Sequence, residues 1–459
     1  MLPTRSDRWV DVLSLVRFGR GGYLPGRVPG QASDDLPGHP EGTTYGRTRG
    51  ATYRGDMAQV SLSLFRPALT FGLSTLLVGA MALSGCSSEP EPKPKPKPVK
   101  TAAATSTKAV VVPPPPAPFT AKGVPGDLAA VIKPLYFGGK VPSSATASKA
   151  LGKRRPVKAA GPVVVKGAVA SWKGVPIAVV TRGKDVTLAV KAPKWKVVGG
   201  WWPSIGVSAP SLGRFPRHVL LVGSDARPGQ PLDHSRGDSL HIVGLDGHGG
   251  GGVLGIPRDS YVPLASGGQG KINSSLTLGG PGSLQQTVVS ATGVPLEGYI
   301  LTGFDGFQRL VDGVGGLPLK APVAVNDKMS GADVKAGANK LTGGQALAYG
   351  RARYAVPGGD FGRSANQGRL ILAAGGFAKL LGPIRLPAIL KMGATNIQTN
   401  LSAEQVLTFA AGAYVARPDK VPNKVATGGF GMTGDGQSIV LLNADARRLF
   451  ADLRNGNLS

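Results

Sequence analysis

The sequence predicts an α/β protein in which residues 213–459 form a layered α-β-α domain around a central β-sheet, preceded by a small β-rich segment over residues 123–212. Short apolar runs at 218–222, 239–245 and 252–256 have the length and composition of strands. Segments with helical spacing alternate with them, as in layered α/β folds. The predicted helices span 283–292, 305–312, 344–349, 365–381 and 403–411, and a last strand and helix span 438–442 and 444–453.

The smaller segment is predicted to be β-rich because β-branched runs recur in it at 163–165, 177–180 and 186–190. Gly-Lys, Gly-Val and Ala-Pro pairs separate the runs and are typical of turns. Three tryptophans follow, and they are listed here in chain order: Trp195, Trp201 and Trp202. Tryptophans beside strands usually anchor packing, and a carbohydrate-stacking platform is the alternative.

Residues 57–86 are predicted to be an export signal of the lipoprotein type. Arg66 precedes an apolar run over 67–83, and small residues lead to Cys86, the single cysteine of the chain. The tetrapeptide Leu-Ser-Gly-Cys that ends there resembles the bacterial lipobox, whose cysteine carries a lipid. An uncleaved signal anchor is the alternative. Either arrangement tethers the protein to the outer face of the cytoplasmic membrane.

Two further stretches flank this signal. Residues 1–56 are polar and Gly-rich, and they are expected to be either a mis-assigned N-terminal extension, with Met57 as the true start, or a disordered cytoplasmic tail. Residues 87–122 are expected to be a linker. Alternating Pro and Lys over 92–98 favours extended polyproline geometry, and the like charges add to the extension.

The formal net charge of +27 indicates anionic partners. Nucleic acid is one class of such partner, but a protein with an export signal rarely meets it. Anionic lipid head groups and anionic wall polymers surround an exported protein and attract a basic surface equally well. We therefore expect partners in the cell envelope and none among nucleic acids.

Acidic side chains flank the first two predicted strands. Asp225 follows the first strand, Asp238 directly precedes the second, and the third runs into Arg258. Loops at strand ends bind ligands in α/β folds. Two carboxylates on neighbouring strands suit Mg²⁺, which prefers oxygen ligands. Helix capping and solvated surface charge are the alternative roles for such acids.

Several side chains suited to an anion follow further along the chain. Arg351 and Arg353 are two residues apart, so in extended chain both would point the same way. Arg363 and Gln367 share a face of the next helix, whose N-terminus adds backbone N–H groups. Arginine offers a planar fork of donors to phosphate oxygens. The pattern favours a pyrophosphate site, with surface ion pairs as the alternative.

This pattern as a whole resembles the LytR-CpsA-Psr family of cell-wall phosphotransferases. The matching residues occur in order from Gly223 to Gln367, and residues 399–402 resemble the C-terminal part of the family. They are Gly223-Ser224-Asp225, Arg227, Arg236, Asp238-Ser239, Ile256-Pro257-Arg258-Asp259, Lys271-Ile272-Asn273, Gly279-Gly280, Phe304-Asp305-Gly306-Phe307, Gly315-Gly316, Leu341-Thr342-Gly343, Ala346-Leu347-Ala348-Tyr349, Arg351, Arg353, Asp360, Gly362-Arg363 and Gln367.

The resemblance implies transfer of a glycopolymer, with its phosphate, from a polyprenyl-pyrophosphate carrier to a peptidoglycan hydroxyl, typically on muramic acid. It implies that Asp225 and Asp238 hold Mg²⁺, one of them being a candidate general base, and that Arg258 acts with them. The implied pyrophosphate ligands are Arg258, Arg351, Arg353, Arg363 and Gln367. Phosphoryl transfer depends on positioning and charge neutralisation, so the residue types agree. The prenyl chain is expected in an apolar groove.

The chain departs from the family pattern at three positions. Asn366 stands where an arginine is usual, Gly368 where a second glutamine is common, and Gly350 where a β-branched residue is usual. The loss of one guanidinium is expected to weaken the hold on pyrophosphate, and the glycines to loosen local geometry.

Two rival functions remain open on sequence alone. One is a polyprenyl-pyrophosphate phosphatase, in which water replaces the sugar hydroxyl. The other is a non-catalytic envelope-binding or regulatory protein. The polymer is also open: teichoic acid, arabinogalactan, capsule and glycosylated protein all fit the same chemistry.

Overall fold

A computed structural model describes residues 118–155, 162–227, 229–417 and 420–459. The predicted N-terminal extension, the predicted signal with Cys86 and the predicted linker up to residue 117 lie outside the described residues.

The elements of the described region alternate along the chain much as the sequence predicts. The strands are β1 Phe119–Lys122, β2 Val163–Trp172, β3 Val175–Arg182, β4 Asp185–Lys191, β5 Trp195–Trp202, β6 Val207–Ser211, β7 Arg217–Ser224, β8 Gly237–Leu245, β9 Gly251–Gly255, β10 Tyr261–Pro263, β11 Gln269–Lys271, β12 Gly298–Thr302, β13 Leu317–Ala321, β14 Val325–Asp327, β15 Ala332–Val334, β16 Gly337–Leu341, β17 Gln398–Thr399, β18 Asn423–Val425, β19 Gly428–Met432 and β20 Ser438–Leu442. The helices are α1 Gly126–Phe137, α2 Ala145–Leu151, α3 Ser274–Thr292, α4 Phe304–Gly313, α5 Gly343–Arg351, α6 Asp360–Leu381, α7 Leu386–Ala394, α8 Ala403–Val415 and α9 Ala444–Leu453.

The N-terminal sheet has the strand order β1-β2-β3-β4-β5-β6, with β1 and β2 parallel and the other pairs antiparallel. Helices α1 and α2 cover one of its faces, where Leu128 and Ile132 pack with Trp202. Trp202 is buried and donates from Nε1 to Thr187 Oγ1 at 2.8 Å. This tryptophan therefore packs in the core.

Two boundaries of this region differ from those expected. Strand β1 lies inside the predicted linker 87–122, so regular structure begins before residue 123. Helices α1 and α2 are additions to a segment expected to be β-rich alone. The α1 segment begins directly after Pro125 and contains Pro134, and prolines of this kind usually mark turns or helix ends in a sequence.

The central sheet has the strand order β17-β12-β7-β8-β9-β18. Helices α3 and α9 cover one face, where Leu284 and Phe450 pack on Leu240 and Leu254. Helices α6 and α8 lie on the opposite side. The α-β-α layering predicted from the sequence is confirmed.

Helices α7 and α8 lie between the two sheets. Leu390 of α7 and Leu407 of α8 belong to one buried cluster with Trp172 and Leu188 of the N-terminal sheet and Val219 of the central sheet. The segment expected to precede the catalytic domain therefore shares a core with it. The described region is a five-layer α-β-α-β-α arrangement.

A third group of elements extends beyond the central sheet. The hairpins β13–β16 and β14–β15 pack with α4, α5 and α6 around Leu317, Ala346 and Tyr349. Within the described ranges, no single helix has the length and apolar character to cross a membrane, although α6 together with the segment Pro383–Ala394 meets that test as a pair bent by 105°.

Candidate functional site

A cavity of about 690 Å³ opens between helices α4 to α7 and the edge of the central sheet. Its chemistry changes from one end to the other. The polar end is lined by Ser224, Asp238, Ser239, Arg258, Asp327, Ser330, Arg351, Arg353, Arg363 and Gln367. The apolar remainder is lined by side chains that include Ile300, Phe304, Phe307, Leu310, Val314, Leu347, Ile371, Phe377, Leu381, Ile389, Met392 and Ile397.

Asp238 reaches the polar end because it is the extra residue of a β-bulge. Gly223 of β7 pairs with Ser239 of β8, whereas Ser224 pairs with Gly237, so Asp238 has no partner across the ladder. A bulge redirects the side chain of its extra residue and is common beside active sites. The Asp238 carboxylate forms an ion pair with Arg258, with Oδ1 2.7 Å from Nη1.

Arg258 follows β9 and is held from both sides. Besides Asp238, it lies 3.6 Å from Asp259, measured from Nε to Oδ2, and Asp259 pairs in turn with Lys271 at 3.1 Å. Burial works to lower the pKa of Arg258, but Asp238, Asp259 and Asp360 outweigh it and raise that pKa above its usual value. The guanidinium is thus a fixed positive charge.

Asp360, in the first turn of α6, joins two more arginines. Its Oδ1 lies 3.0 Å from Arg353 Nε and 3.1 Å from Arg363 Nη2. Gly359, which precedes it, has a φ of 56° and so permits the tight turn into the helix. The Phe361 N–H donates to the Gly358 carbonyl, so this helix end is only partly open to an anion.

The cluster holds more positive than negative charge. Burial, followed by the charge of Arg258, lowers the pKa of Arg363. Arginines this close repel one another, and an anion bound among them would relieve the repulsion. Arginines predicted from the sequence to bind pyrophosphate, Arg258, Arg353 and Arg363, meet at this position.

Arg351 and Arg353 both line the cavity, but not through the extended backbone that the sequence suggested. Arg351 is the last residue of α5, and its guanidinium lies over the Phe304 ring, 4.9 Å from the centroid. Ala352 ends the helix, and Arg353 lies in the loop beyond it. They converge through a helix end and a turn, so the extended backbone predicted for them was wrong.

Gln367 lines the cavity one helical turn after Arg363. Its Nε2 donates to the Gly350 carbonyl at 3.0 Å, which ties α6 to the end of α5. A Cβ at Gly350 would meet Leu370 Cδ1 at 3.1 Å, so the glycine allows the two helices to pack closely. This departure from the family pattern tightens the local packing, whereas the sequence suggested that it would loosen it.

Asn366 points away from the cavity. It is buried, is absent from the cavity lining and accepts a hydrogen bond from Arg369 Nη1 at 2.7 Å. Gly368 leaves room for Asn423, whose Nδ2 donates to the Ala365 carbonyl at 2.8 Å. Neither Asn366 nor Gly368 lines the cavity.

Asp225 differs from the other predicted site residues because it is not part of the cavity lining. Its Oδ1 accepts the Arg236 backbone N–H at 2.8 Å, and its own N–H donates to the Arg236 carbonyl. It thus braces the loop between β7 and β8, directly after Ser224. The structure brings Asp238 and the arginines together and places Asp225 beside them.

The residues present fit a Mg²⁺ that is held partly by substrate. The described ranges contain no group of three or more His, Cys, Asp or Glu side chains that would bind a metal unaided. Mg²⁺ commonly uses one or two carboxylates together with phosphate oxygens and water. The Asp238 carboxylate at the polar end, which pairs with Arg258 through Oδ1, would supply such a ligand, with Asp225 in the adjoining loop.

Two residues that the sequence did not single out shape the polar end. Asp327, 2 % exposed, accepts the backbone N–H groups of Met329 and Ser330 on Oδ1 and of Arg353 and Tyr354 on Oδ2. Burial works to raise its pKa, but these N–H donors outweigh it and lower the pKa. An Asp at the end of a strand, directly before a turn, is a signal for such backbone bonding, although the sequence does not reveal the distant partner.

His241 is the second such residue. Its Nε2 lies 3.0 Å from the Ser364 carbonyl and must carry the proton, which leaves Nδ1 to accept from the Ser239 hydroxyl at 3.2 Å. Burial lowers the pKa of His241 to about 4. The neutral ring therefore links β8 to the first turns of α6 and orients a hydroxyl at the cavity wall.

Comparison with known proteins places these observations in a family. A model of the LytR_cpsA_psr family matches residues 206–448. The chain is 31 % identical over 251 residues to "Probable cell wall biosynthesis protein LcpB" of Corynebacterium glutamicum, covering 51 % of this chain and 60 % of LcpB. It is 34 % identical over 197 residues to the polyisoprenyl-teichoic acid–peptidoglycan teichoic acid transferase TagU of Bacillus anthracis, covering 42 % of this chain and 62 % of TagU.

Solved structures include similar proteins. The crystal structure of Bacillus subtilis TagV matches with 26 % identity and a TM-score of 0.45, covering 53 % of this chain and 98 % of that chain. The aligned part of the chain spans about three fifths of the length of LcpB and of TagU.

Proposed function

The chain belongs to the LytR-CpsA-Psr family, and from that premise we propose that it transfers a glycopolymer with its phosphate from a polyprenyl-pyrophosphate carrier to a peptidoglycan hydroxyl. The relatives TagU and TagV are named as transferases of teichoic acid to peptidoglycan, which supports the reaction class. The identity of the polymer is left open in this proposal.

The observation that carries the proposal is the two-part cavity. Arginines and Asp238 line one end, and aliphatic and aromatic side chains line the rest. A lipid pyrophosphate has the same two parts, a polyanion joined to a hydrocarbon chain. A phosphatase would use the same pocket, but the relatives' names favour an acceptor other than water.

The chemistry follows from the charges at the polar end. The acceptor hydroxyl oxygen attacks the phosphorus that carries the glycan, the bond to the bridging oxygen breaks, and polyprenyl phosphate leaves. Arg258, Arg353 and Arg363 neutralise the negative charge that shifts onto the phosphate oxygens. In this proposal Asp238 would accept the hydroxyl proton.

Magnesium completes this part of the proposal. Asp238, with Asp225 in the adjoining loop, would hold Mg²⁺ together with the phosphate oxygens. When bound, the ion would screen negative charge on the pyrophosphate. Arg351, stacked on Phe304, and Gln367, anchored to Gly350, would complete the grip on the diphosphate.

The proposal also includes the location of the enzyme. The signal-like stretch 57–86 would export the chain, and a lipid on Cys86 would hold it at the outer face of the cytoplasmic membrane, where peptidoglycan is assembled. The lipobox-like tetrapeptide and the basic composition support this location. Metabolic labelling with an alkyne fatty acid tests it: wild type should be labelled and Cys86→Ser should not.

The direct test uses full-length protein, a lipid-pyrophosphate-linked glycan, Mg²⁺ and a peptidoglycan oligomer. We expect polymer–peptidoglycan adducts and polyprenyl phosphate in equal amounts. Polyprenyl phosphate without adduct would indicate hydrolysis instead. Arg258→Ala should abolish both products, whereas Arg417→Ala, a substitution outside the cavity lining, should not. Polymer attachment that survives Arg258→Ala in cells would favour a non-catalytic binding role.

A further inference from the structure

The corner between α6 and α7 exposes apolar side chains to solvent. We define this α6–α7 corner as residues 379–391, which include the end of α6, the turn Pro383–Arg385 and most of α7. The two helical segments meet at 105°, and Leu380, near the end of α6, is 75 % exposed. Exposed apolar side chains flanked by charged ones are typical of surfaces that meet another phase or partner.

The apolar end of the cavity reaches this corner. Phe377, Ala378 and Leu381 of α6 and Ile389 of α7 all line the cavity. Leu381 is also 37 % exposed, and it directly follows Leu380. A hydrocarbon chain in the cavity would therefore end beside the exposed apolar surface of the corner.

The charge of the corner is of one sign. No Asp or Glu occurs between Asp360 and Glu404, whereas Lys379, Arg385 and Lys391 lie within the corner and are exposed. Within the described ranges, neither Arg385 nor Lys391 forms an ion pair. Lys379 Nζ donates to the Ala416 carbonyl at 2.6 Å, which fixes one cation in place.

An apolar tip surrounded by cations matches the interface of an anionic bilayer. Apolar side chains insert among the head groups while Lys and Arg remain at the anionic surface. The polar end of the cavity is a poorer candidate for this contact, because the glycan and its hydrophilic acceptor must occupy it. The two ends thus face different surroundings.

We propose that the α6–α7 corner docks on the anionic membrane surface, with Leu380 among the lipid head groups, so that the prenyl chain passes between bilayer and cavity without crossing water. This inference rests on the proposed function. Each methylene exposed to water carries a cost, so a long prenyl chain gains from a continuous apolar path.

Insertion is measured with an environment-sensitive fluorophore in full-length protein reconstituted into vesicles. The label is placed at Leu380→Cys and, as a matched control, at Met432→Cys on the β19–β20 hairpin, where Met432 is 72 % exposed. Wild-type protein treated with the same reagent gives the background from Cys86. In phosphatidylglycerol vesicles we expect the Leu380→Cys signal to shift to the blue and to be quenched by doxyl-labelled lipids, while the Met432→Cys signal remains that of solvent. Equal, solvent-like signals at both positions would overturn the proposal.

A charge-reversal pair tests the electrostatic part. We expect Arg385→Glu combined with Lys391→Glu to raise the phosphatidylglycerol fraction needed for half-maximal insertion. It should also raise the KM for bilayer-embedded donor at least about 25-fold, since each lost cation near an anionic surface costs a factor of about five and the new carboxylates add repulsion. The matched pair Lys335→Glu and Lys340→Glu, on exposed residues outside the corner and the cavity lining, should change neither value more than about twofold.

A water-soluble donor with a short prenyl chain separates the two proposals. Arg385→Glu combined with Lys391→Glu should turn over this soluble donor at the wild-type rate, because neither residue lines the cavity. Transfer of polymer with a solvent-exposed label at position 380 would overturn the corner proposal and leave the proposed function intact. Insertion of the label without any transfer would leave membrane docking intact and overturn the proposed function.

Discussion

Two buried side chains near the polar end, Asp327 and His241, hold neighbouring residues in position by hydrogen bonds. The Asp327 carboxylate accepts hydrogen bonds from backbone N–H groups of the loop that carries Arg353. The His241 ring joins Ser239 to helix α6 by hydrogen bonds. Neither residue offers the cavity a positive charge. Both set the positions of residues that do, so their substitution should change stability as well as turnover.

Asp327→Asn should lower the free energy of unfolding by about 2 kcal/mol. The carboxylate accepts several backbone N–H groups, and hydrogen bonds to a charged acceptor are stronger than those to a neutral amide. Urea unfolding at neutral pH measures the change. Asp333→Asn, an exposed position on the paired strand β15, serves as control and should differ from wild type by less than about 0.5 kcal/mol. Equal losses in both variants would contradict the assigned role.

His241 should make stability depend on pH between about 6.5 and 4. Its pKa is lowered in the folded state, so in this range the unfolded chain binds a proton that the folded chain does not, and stability falls as pH falls. The slope should approach about 1.4 kcal/mol per pH unit. His241→Gln should remove this part of the slope, whereas His248→Gln, on an exposed turn, should retain it. Urea unfolding at several pH values measures the slope in both variants. Equal slopes in the two variants would contradict the role assigned to His241.

At the scale of strands and helices, the predictions from sequence succeeded where the local pattern was clear. The strand and helix at 438–442 and 444–453 were placed with the bounds that the structure has; a continuous apolar run marks the strand and Asn443 caps the helix. Helix α3 begins nine residues before the predicted 283, since Gly280 and Pro281 interrupt a helix that continues on both sides. Short strands such as β14 and β15 carry too few residues for a period to appear.

Site residues could be predicted where they belong to, or directly follow, a strand or helix with a clear hydrophobic pattern. Arg258 and Arg363 were placed by the strand and the helix that precede or carry them. The bulge that turns Asp238 inward depends on a one-residue mismatch between two strands, which a single sequence does not reveal. The cavity walls come from four consecutive helices and the ends of two strands, and a single sequence does not reveal how these elements pack, so the sequence predicted an apolar groove without its residues.

On the proposed function, a bulky side chain at the apolar end of the cavity should limit the length of the prenyl chain that a donor can carry. Ala374 of α6 lines the cavity, and Ala374→Trp would place an indole in the path of the hydrocarbon chain. We expect kcat/KM for a long-chain donor to fall at least tenfold and that for a short-chain donor to change less than twofold. Gly375→Trp, whose Cβ meets open space and whose position is outside the lining, is the matched control. Equal losses with both donors would indicate misfolding or a different binding mode.

At the scale of the molecule, the two sheets and the helices between them form one core. Leu188 of β4 packs in the cluster that contains Leu407 of α8 and Val219 of the central sheet. Loss of either sheet would expose apolar surface of the other to water, so we expect the two sheets to unfold together. The N-terminal sheet is therefore part of the folding unit that forms the site.

Leu188→Ala should destabilise both sheets in a single transition, by about 2–5 kcal/mol. Tryptophan fluorescence reports on the N-terminal sheet, since four of the five tryptophans lie at residues 172–202, and far-ultraviolet circular dichroism reports on the helices. We expect the two curves to coincide in wild type and variant alike. Val164→Ala, on β2 at a position that is 41 % exposed, should cost less than about 1 kcal/mol. Separate transitions would show that the sheets fold independently.

Helix α7 lies between the cavity and the N-terminal sheet. Ile389 and Met392 face the cavity, while Gly393, one residue later, lies against Trp172, whose Cζ3 would be 3.6 Å from an added Cβ. On the proposed function, the cavity wall that would contact the hydrocarbon chain therefore rests on Trp172 of the N-terminal sheet. We expect substitutions of Trp172 to change the chain-length preference, although Trp172 does not line the cavity.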